Sequence, residues 1–351
     1  IIQTVRGCVA RCTFCQRYTK GYRVYPKNVL ETHIIDLKEK FNIGAIYLND
    51  ENFGSDRKYA YEVARIMKKH DIFWSAGGVR CTSVTYEDLK FYKENNLYAM
   101  TFGIESGSQK ILDIMEKKFT PKDVYKALSN CKKLGINTNP NAVVIGMPGE
   151  TKETVIESAK FIASLKYILD YNWNIREAYH WAWAIPGTPL YEYCQQIGVV
   201  GKTLDEEEDY LIRVSEHELD FLNYVNKTNS KIKEVHYWQH LYSYVAKKAY
   251  VDLIIKNNKS IKNRLLQIYE RCIRHTFADL ITRCRKNQKT NSNKPLQKMK
   301  SYIRISIDFL LALSILFLPK VVLLPIIRVY ANLRFYTLKK SSKVKKGKQK
   351  H

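Results

Sequence analysis

Cysteine is scarce in this chain outside one short stretch. The chain has 351 residues and 8 cysteines, and five of these are scattered, at positions 81, 131, 194, 272 and 284. Disulfide-dependent domains are small and carry a much denser cysteine framework, so this content excludes a disulfide scaffold. Thiols in a chain of this size suit a reducing cytosol, and clustered thiols suit metal ligation.

Acidic residues are also in short supply. The chain carries 58 Lys and Arg against 34 Asp and Glu, a formal net charge of +24. Residues 256–304 hold fourteen basic residues against two acids, and residues 334–351 hold eight basic residues and no acid. A segment this basic either binds a polyanion, such as anionic lipid or nucleic acid, or is simply a solvated surface.

A long uninterrupted hydrophobic run is missing as well. The best candidate, residues 307–327, is interrupted by an aspartate, a lysine and two prolines. Three interpretations stay open: a segment in the membrane interface, a true membrane span, or a helix packed on the protein itself. Basic residues on both sides favour a role at a membrane surface. No secretory signal opens the sequence, so we expect a cytoplasmic protein, peripheral to the inner face of the membrane.

The first 190 residues alternate between apolar strand-like runs and amphipathic helical segments. The runs are residues 1–5, 44–50, 72–78, 98–106, 141–149 and 179–187. Thr85 with Asp88, and Thr120 with Asp123, have the pattern of capped helix N-termini. This alternation predicts the α/β class with a parallel sheet. Six units are too few for a closed eight-fold barrel, so we predict a partial (β/α)6 TIM-like barrel with a helical, basic C-terminal region.

The alternation ends near residue 200, which suggests three regions. We expect the α/β core in residues 1–195, a helical extension in residues 196–290, and a basic, hydrophobic tail in residues 291–351. Within the tail, residues 307–327 are the candidate membrane-associating segment. The polar stretch 286–295 is typical of a linker.

Polar or glycine-rich residues follow the predicted strands. The sequences are NDEN at the end of the second run, GG at the end of the third, GIESGS at the end of the fourth, GMPGE at the end of the fifth and PGTP at the end of the sixth. In parallel α/β folds, ligands bind at the carboxyl ends of the strands. These strand ends are therefore expected to form the rim of an active site.

Three cysteines lie directly after the first run. Cys8, Cys12 and Cys15 follow the spacing C-x-x-x-C-x-x-C. A structural zinc site needs four ligands, and no later C-x-x-C supplies a second half. Iron–sulfur clusters are usually held by four thiolates, so three leave one iron without a protein ligand. An open coordination position points to chemistry, with a substrate or cosubstrate as the missing ligand.

This cysteine motif, with Phe14 before the last cysteine and a strand before the first, resembles the radical S-adenosylmethionine (SAM) superfamily. The resemblance implies that Cys8, Cys12 and Cys15 bind a 4Fe–4S cluster, and that the amino and carboxylate groups of SAM chelate the fourth iron. It also implies that one-electron reduction cleaves SAM to a 5′-deoxyadenosyl radical, which abstracts hydrogen from a substrate.

Two further motifs extend the resemblance through acidic residues. NDENF, residues 49–53, is similar to a family motif whose acids meet the ammonium group of SAM, which implies that role for Asp50 and Glu51. GIESGS, residues 103–108, matches a motif that places Glu105 and Ser106 near the ribose and methionine parts of SAM. Each set has a structural alternative, because acids and serines also cap helix N-termini.

Two glycine-rich motifs complete the set over residues 1–195. GMPGET, residues 146–151, matches a motif whose backbone approaches the adenine, here at Gly146 and Gly149, although turn glycines look the same in sequence. PGTPLY, residues 186–191, matches the segment that closes the sixth strand.

Cobalamin is a further cofactor that the resemblance suggests. Cobalamin-binding radical enzymes, methylthiotransferases and tRNA-modifying acetyltransferase relatives share this motif set, and DENF with GMPGET and PGTPLY favours the cobalamin-linked branch. In that branch a Rossmann-like cobalamin domain usually precedes the barrel. The barrel begins here at Ile1, so cobalamin and methyl transfer stay open, and we expect the residues encoded upstream to decide.

The sixth run offers one weak catalytic candidate. In a strand, Tyr179 and Trp181 share one face, and His180 and Ala182 share the other. If the second face lines the barrel, His180 can handle a proton; if the first does, the aromatic rings form a wall suited to a lipid or a ring. A lone histidine on a strand is more often structural.

The leading functional hypothesis is a radical SAM enzyme that modifies a small or lipid-like molecule at an anionic membrane surface, with flavodoxin or ferredoxin as reductant. One alternative is a methylthiotransferase-like enzyme that modifies tRNA or protein. Nucleic acid is less favoured as a partner, because no compact RNA-binding module is recognisable. Another alternative is a non-catalytic metal-binding scaffold.

Overall fold

A computed structural model describes residues 1–16, 21–140, 143–172, 179–201, 203–215, 224–289 and 295–348 of the chain. The chain forms two compact units. The first contains residues 1–144 and 182–206, and the second contains residues 145–181 and 207–351. Helices and strands mix in the described part, and the chain is an α/β protein, as the sequence predicts.

The first unit holds most of the strands. Its elements are β1 (Val5–Gly7), β2 (Tyr22–Val24), α1 (Lys27–Phe41), β3 (Ala45–Leu48), α2 (Arg57–Lys69), β4 (Phe73–Val79), α3 (Tyr86–Glu94), β5 (Leu97–Phe102), α4 (Gln109–Ile114), α5 (Pro121–Lys133) and α7 (Pro189–Gln196). β6 (Val144–Ile145) spans the point where the chain passes into the second unit.

The second unit is largely helical. Its elements are α6 (Lys152–Ile168), β7 (His180–Trp181), α9 (Ile232–Asn257), α10 (Ile261–Ile268), a π-helical turn (Tyr269–Ile273), α11 (Arg274–Lys289), α12 (Pro295–Phe317) and α13 (Lys320–Lys348). α8 (Leu204–Ser215) begins in the first unit and continues into the second.

A parallel sheet forms the centre of the first unit. β3, β4 and β5 lie side by side in that order, and both pairs are parallel, which confirms the predicted parallel pairing for these strands. Single parallel bridges extend the arrangement, from Ile2 to Leu48 on one side and from Ala99 to Asn137 on the other. The described strands form sheets of two, three and two strands, and these do not close into a barrel within the described ranges.

The first strand differs from its prediction. The sequence predicts a strand over residues 1–5, whereas β1 covers Val5–Gly7 and pairs antiparallel with β2. The reason is a side chain: the backbone N–H groups of Thr4 and Val5 both donate to Asp50. That carboxylate replaces the neighbouring backbone carbonyls that would otherwise continue a parallel ladder.

Two predicted helix starts are confirmed. Thr85 and Asp88 form a reciprocal capping box at the start of α3, and Thr120 and Asp123 form another at the start of α5. In each, the threonine hydroxyl accepts from the third helical N–H, while the aspartate accepts from the threonine N–H.

Aromatic packing fills the core beside the sheet. The rings of Phe53, Trp74 and Tyr92 are buried and meet edge to face, with centroids 5.6 to 6.0 Å apart. Phe53 follows β3 and directly succeeds the polar residues 49–52, and Trp74 lies in β4. Burial of three large rings contributes several kcal/mol, on the order of 2 kcal/mol each.

The predicted linker, residues 286–295, and the predicted hydrophobic run, residues 307–327, differ in how far the structure describes them. α11 ends at Lys289 and α12 begins at Pro295, while residues 290–294 of the predicted linker lie outside the described ranges. Residues 307–327 are divided between α12 and α13, since Pro319 separates the two helices. None of the described helices combines the length and the hydrophobicity that crossing a membrane requires.

Candidate active site

The cysteine loop leaves β1 through Gly7, whose φ of 85° favours glycine. Its middle is held by Thr13, which lies between the second and third cysteines. The Thr13 N–H donates to the Met115 carbonyl at 3.1 Å, and its hydroxyl donates to the Ile114 carbonyl at 2.9 Å. The Thr13 carbonyl accepts from the Leu190 N–H at 2.9 Å. Three bonds to distant segments therefore fix the path of the loop.

Two of the cysteine sulfurs receive N–H donors. The Ala10 N–H and the Asn52 side-chain amide donate to Cys8 Sγ, at 3.4 and 3.3 Å. The Arg80 guanidinium lies 3.8 Å from Cys12 Sγ. Donors of this kind stabilise a thiolate over a thiol. The sequence analysis did not identify Asn52 and Arg80 as site residues. Their positions soon after the ends of two parallel strands, β3 and β4, could have indicated them.

The third cysteine is coupled to the other two. Although part of Cys15 faces solvent, loss of hydration raises the pKa of its thiol, and the neighbouring Cys12 and Cys8 raise it further. A cationic group beside the loop would favour the ionised form of the Cys15 thiol.

A site for a single metal ion is not preformed among the described residues. Among the described residues, no three His, Cys, Asp or Glu side chains converge as a mononuclear site requires. An iron–sulfur cubane offers a separate iron to each thiolate, so a loop with three cysteines is a donor set that fits it. A second observation supports a bound group at the loop. The Oδ1 atom of Asn52 is buried and has no hydrogen-bond partner in the described part of the chain.

A buried ion pair lies beside the loop. Lys117 Nζ is 3.2 Å from Glu105 Oε1, and both side chains are largely buried. The Lys117 ammonium also lies over the rings of Phe14 and Phe119, 5.9 and 5.2 Å from their centroids. A Cβ on Gly103 would come within 2.8 Å of Glu105 Oε1, so the carboxylate lies close against the backbone at the end of β5. The site thus holds one carboxylate and one ammonium next to the cysteines.

Glu105 has a backbone conformation that is uncommon outside glycine, with φ 62°. Its carbonyl accepts from the Val144 N–H at 2.8 Å, which ties the end of the β5 segment to the start of β6. Next to it, Ser106 is fully buried and its hydroxyl accepts from the Ser108 N–H at 3.1 Å. Strain of this kind persists only where neighbouring contacts hold it, and it clusters at functional sites.

Arg80 joins the ion pair to the cysteines. Besides its contact with Cys12, its guanidinium donates to the backbone carbonyl of Lys117. The flanking residues Glu116 and Lys118 both have positive φ, so this turn is tightly constrained. Lys117 had no motif to reveal it in the sequence.

Asp50 has a structural role whatever else it does. Its Oδ1 accepts from the Thr4 and Val5 N–H groups at 2.6 and 2.9 Å, and its Oδ2 accepts from the Thr4 hydroxyl at 2.6 Å. Burial raises the pKa of this carboxyl, against the opposing effect of the three donors. Glu51, its neighbour, is half-buried. A Cβ on Gly78 would meet the Asp50 carbonyl at 2.1 Å, so the two strand ends pack backbone to backbone.

The GMPGE turn lies in the second unit. Gly146 has φ 95°, and a Cβ there would come within 2.6 Å of the Tyr224 ring, whose hydroxyl donates to the Gly146 carbonyl at 2.9 Å. Gly149 also has positive φ. Glu150 is buried and accepts from the N–H groups of Gly146 and Met147; burial raises its pKa to about 7. The motif resemblance pointed to the two glycines, but it did not point to the buried Glu150 carboxyl, which accepts hydrogen bonds within the turn.

His180 is exposed on β7, whereas its neighbour Trp181 is buried. The Trp181 ring packs against Tyr179 and Tyr224, with centroids 5.6 and 5.1 Å away. Within the second unit, the aromatic face of this strand is therefore the buried one. The catalytic role of His180 stays a prediction.

Residues 2–162 match the family described as the Radical SAM superfamily, and this span includes the cysteine loop, the Glu105–Lys117 pair and the GMPGE turn. The chain contains a radical SAM domain. The radical SAM superfamily consists of enzymes that use a 4Fe–4S cluster and SAM.

Comparison with curated proteins and solved structures gives partial matches. An uncharacterized methyltransferase of Pyrococcus horikoshii is 30% identical over 199 residues, which cover 55% of this chain and 41% of that protein. A cytidylyl-2-hydroxyethylphosphonate methyltransferase of Streptomyces wedmorensis is 27% identical over 164 residues, or 44% of this chain and 30% of that protein. The radical SAM methyltransferase TsrM of Kitasatospora setae, solved with cobalamin and a 4Fe–4S cluster, has 18% identity and a TM-score of 0.47 over 58% of this chain and 40% of its own. The chain spans less than half the length of these relatives.

Proposed function

We propose that this chain is the catalytic part of a radical SAM enzyme in which Cys8, Cys12 and Cys15 bind a 4Fe–4S cluster. The observation that carries the proposal is the three-cysteine loop, whose sulfurs receive donors from Asn52 and Arg80. When bound, the cluster supplies the electron that cleaves SAM reductively. The proposal includes a partial (β/α)6 barrel over residues 1–195, with residues 196–290 and 291–351 as separate regions.

The residues around the loop have proposed roles in binding SAM. Glu105 is the favoured carboxylate, because it is largely buried, pairs with the Lys117 ammonium at 3.2 Å and interacts electrostatically with Cys15. Glu51 is favoured over Asp50 for the ammonium group, since both oxygens of Asp50 already accept hydrogen bonds from Thr4 and Val5. In this proposal the buried Glu105 carboxylate is paired in both states of the site, with Lys117 in the free protein and with another cation in the bound one.

The remaining candidates have polar or backbone roles in the same proposal. Ser106 shapes the turn after β5 through its bond with Ser108. Gly146 and Gly149 present backbone to the adenine, a role supported by their positive φ. His180 is the candidate proton carrier, and its exposure leaves its imidazole accessible.

The proposed substrate is a small or lipid-like molecule, and a flavodoxin or ferredoxin is the proposed reductant. Methylation is the subtype favoured by the names of the two relatives, while cobalamin enters only through the motif resemblance. A cytoplasmic location is consistent with cysteines that form no disulfide among the described residues.

Anaerobic reconstitution with iron and sulfide, followed by dithionite and SAM, tests the proposal. We expect 5′-deoxyadenosine from the native chain and none from Cys12→Ala. Cys131→Ala is the matched control, since Cys131 is a buried free thiol on α5, away from the loop. Product from Cys12→Ala, or none from the native chain with a full cluster, contradicts the proposal. In the second case a scaffold is favoured; product that forms only with tRNA present favours a tRNA-modifying enzyme.

A further inference from the structure

The turn between α12 and α13 exposes an unusual amount of apolar surface. Residues 317–322, with the sequence FLPKVV, are exposed one after another, a stretch we call the apolar tip. Phe317 is 75% exposed and Val321 is 78% exposed. Soluble proteins seldom place several large apolar side chains together at a surface, and where they do, the patch marks an interaction site.

The apolar tip is an ordered feature of the second unit. The Leu318 N–H donates to the Ser314 carbonyl at 2.8 Å, and the Pro319 carbonyl accepts from the N–H groups of Val322 and Leu323 at 3.0 and 3.1 Å. Behind the tip, Ile315 and Leu323 are buried. The N–H groups of Leu318, Val322 and Leu323 are thus paired within the chain, which lowers the cost of placing this turn in a low-dielectric environment.

Exposed apolar residues continue from the tip along both helices at helical spacing. On α12 they are Met299, Ile303, Ile307 and Leu310. On α13 they are Ile326, Val329, Leu333 and Tyr336. Each helix therefore has an apolar stripe facing solvent in addition to the buried residues that pack it into the second unit, such as Ala312 and Ile327.

The sequence that forms the two helices and the tip is strongly basic. Residues 295–348 contain twelve Lys or Arg and one acid, Asp308, whose carboxylate already accepts from Tyr330. Lys320 lies within the tip and is exposed. Basic residues beside an apolar patch match the two layers of an anionic bilayer, phosphate outside and hydrocarbon beneath.

We propose that the apolar tip docks on an anionic lipid bilayer, with Phe317 and Val321 entering the interface and Lys320 meeting lipid phosphates. RNA would match the charge but would leave the apolar side chains in water. A second copy of this chain would cover the apolar side chains but would bring two dense positive charges together. Docking requires no helix that spans the membrane, and it goes beyond the proposed catalytic function.

Flotation of the full-length chain with vesicles tests this surface. Vesicles of phosphatidylcholine with phosphatidylglycerol are compared with vesicles of phosphatidylcholine alone, at low and high salt. We expect preferential binding to the anionic vesicles, with a fraction that survives high salt because the apolar contacts are not screened. Binding needs no iron–sulfur cluster, so this result is separable from the test of catalysis.

Two variants identify the contact. Phe317→Gln with Val321→Gln should lower the partition coefficient about tenfold or more, and Lys320→Gln should lower it about fivefold on anionic vesicles. The matched control is Phe41→Gln with Val29→Gln, at exposed positions on α1, where Phe41 is 68% exposed; it should bind as the native chain does. Circular dichroism checks that each variant is folded.

Three outcomes overturn the inference. The first is equal binding by Phe317→Gln with Val321→Gln and by the native chain. The second is complete loss of vesicle binding at high salt together with competition by RNA, which favours a nucleic-acid surface. The third is concentration-dependent self-association, with no flotation, that the same substitutions abolish, which favours a second copy as the occupant.

Discussion

The side-chain amide of Asn52 donates a hydrogen bond to the sulfur of Cys8, with 3.3 Å between Nδ2 and Sγ. Asn52 is fully buried, and the two residues are 44 positions apart in the chain. A donor aimed at a cluster thiolate stabilises the more negative, reduced state of that cluster. The proposed function therefore gives this amide a measurable electronic effect.

Asn52→Ala should lower the reduction potential of the reconstituted cluster. Loss of one hydrogen bond worth about 1 kcal/mol corresponds to a shift on the order of 40 mV for a one-electron couple. Spectroscopic redox titration measures it. Asn49→Ala, an exposed position on the same segment, is the control and should leave the potential unchanged. An unshifted potential in Asn52→Ala would show that the amide does not act on the cluster.

Asp50→Ala should destabilise the fold. It removes three hydrogen bonds, two of them from backbone N–H groups of Thr4 and Val5, and leaves those groups buried without their acceptor. We expect a loss of roughly 2–4 kcal/mol in the free energy of unfolding, measured by urea denaturation. Asp36→Ala, whose exposed carboxylate pairs only with Lys40 in the described structure, should change it by less than about 1 kcal/mol. Equal effects from the two substitutions would remove the structural role of Asp50.

Glu105→Gln should weaken SAM binding, and it should also lower the stability of the fold, because it leaves the buried Lys117 ammonium without its carboxylate. The substitution keeps the shape of the side chain but removes the charge that now pairs with Lys117. A lost charge-assisted hydrogen bond predicts a dissociation constant roughly tenfold higher or more. Equilibrium dialysis with labelled SAM measures it on the reconstituted protein, with Glu39→Gln on the exposed side of α1 as control. Native affinity in Glu105→Gln would place the SAM contact elsewhere.

Glu150→Gln should change how stability depends on pH. Burial raises the pKa of Glu150 from 4.5 to about 7, so the folded state favours the protonated carboxyl. Its contribution to stability is fully present below pH 4.5 and is lost as the pH rises through about 7. Glutamine is neutral and still accepts a hydrogen bond, so the variant should lack this loss, which is on the order of 3 kcal/mol at most.

Urea unfolding at a series of pH values compares the two proteins. His236, whose pKa burial lowers to about 4, titrates in both and cancels from the difference. A difference between native and variant stability that stays constant from pH 4.5 to above pH 7 would contradict the buried, titrating state of Glu150.

Strand position and pairing were largely predictable from the sequence. β3, β4 and β5 overlap the apolar runs at 44–50, 72–78 and 98–106, because the buried positions of these strands are largely apolar. The threonine caps were also predictable, since in each cap the threonine and the aspartate lie three residues apart in the sequence. β2 was missed because Tyr22–Val24 is short and mostly exposed, so it has no apolar pattern.

The candidate site was predictable only where a motif carried it. The cysteines, Glu105 and the turn glycines belong to motifs, and the chain contains the radical SAM domain that those motifs indicated. Arg80, however, meets Cys12 across 68 positions, and Lys117 meets Glu105 through a turn with two positive φ residues. Contacts of this kind depend on tertiary packing, which has no local signature in the sequence.

The proposed function requires that three thiolates hold a cluster with one iron open to SAM. Electron paramagnetic resonance of the anaerobically reconstituted, dithionite-reduced protein tests it most directly. We predict the signal of a reduced 4Fe–4S cluster that changes when SAM is added and is absent from Cys12→Ala. A redox-silent, tetrahedral ion in the loop, or a cluster signal indifferent to SAM, would contradict the account.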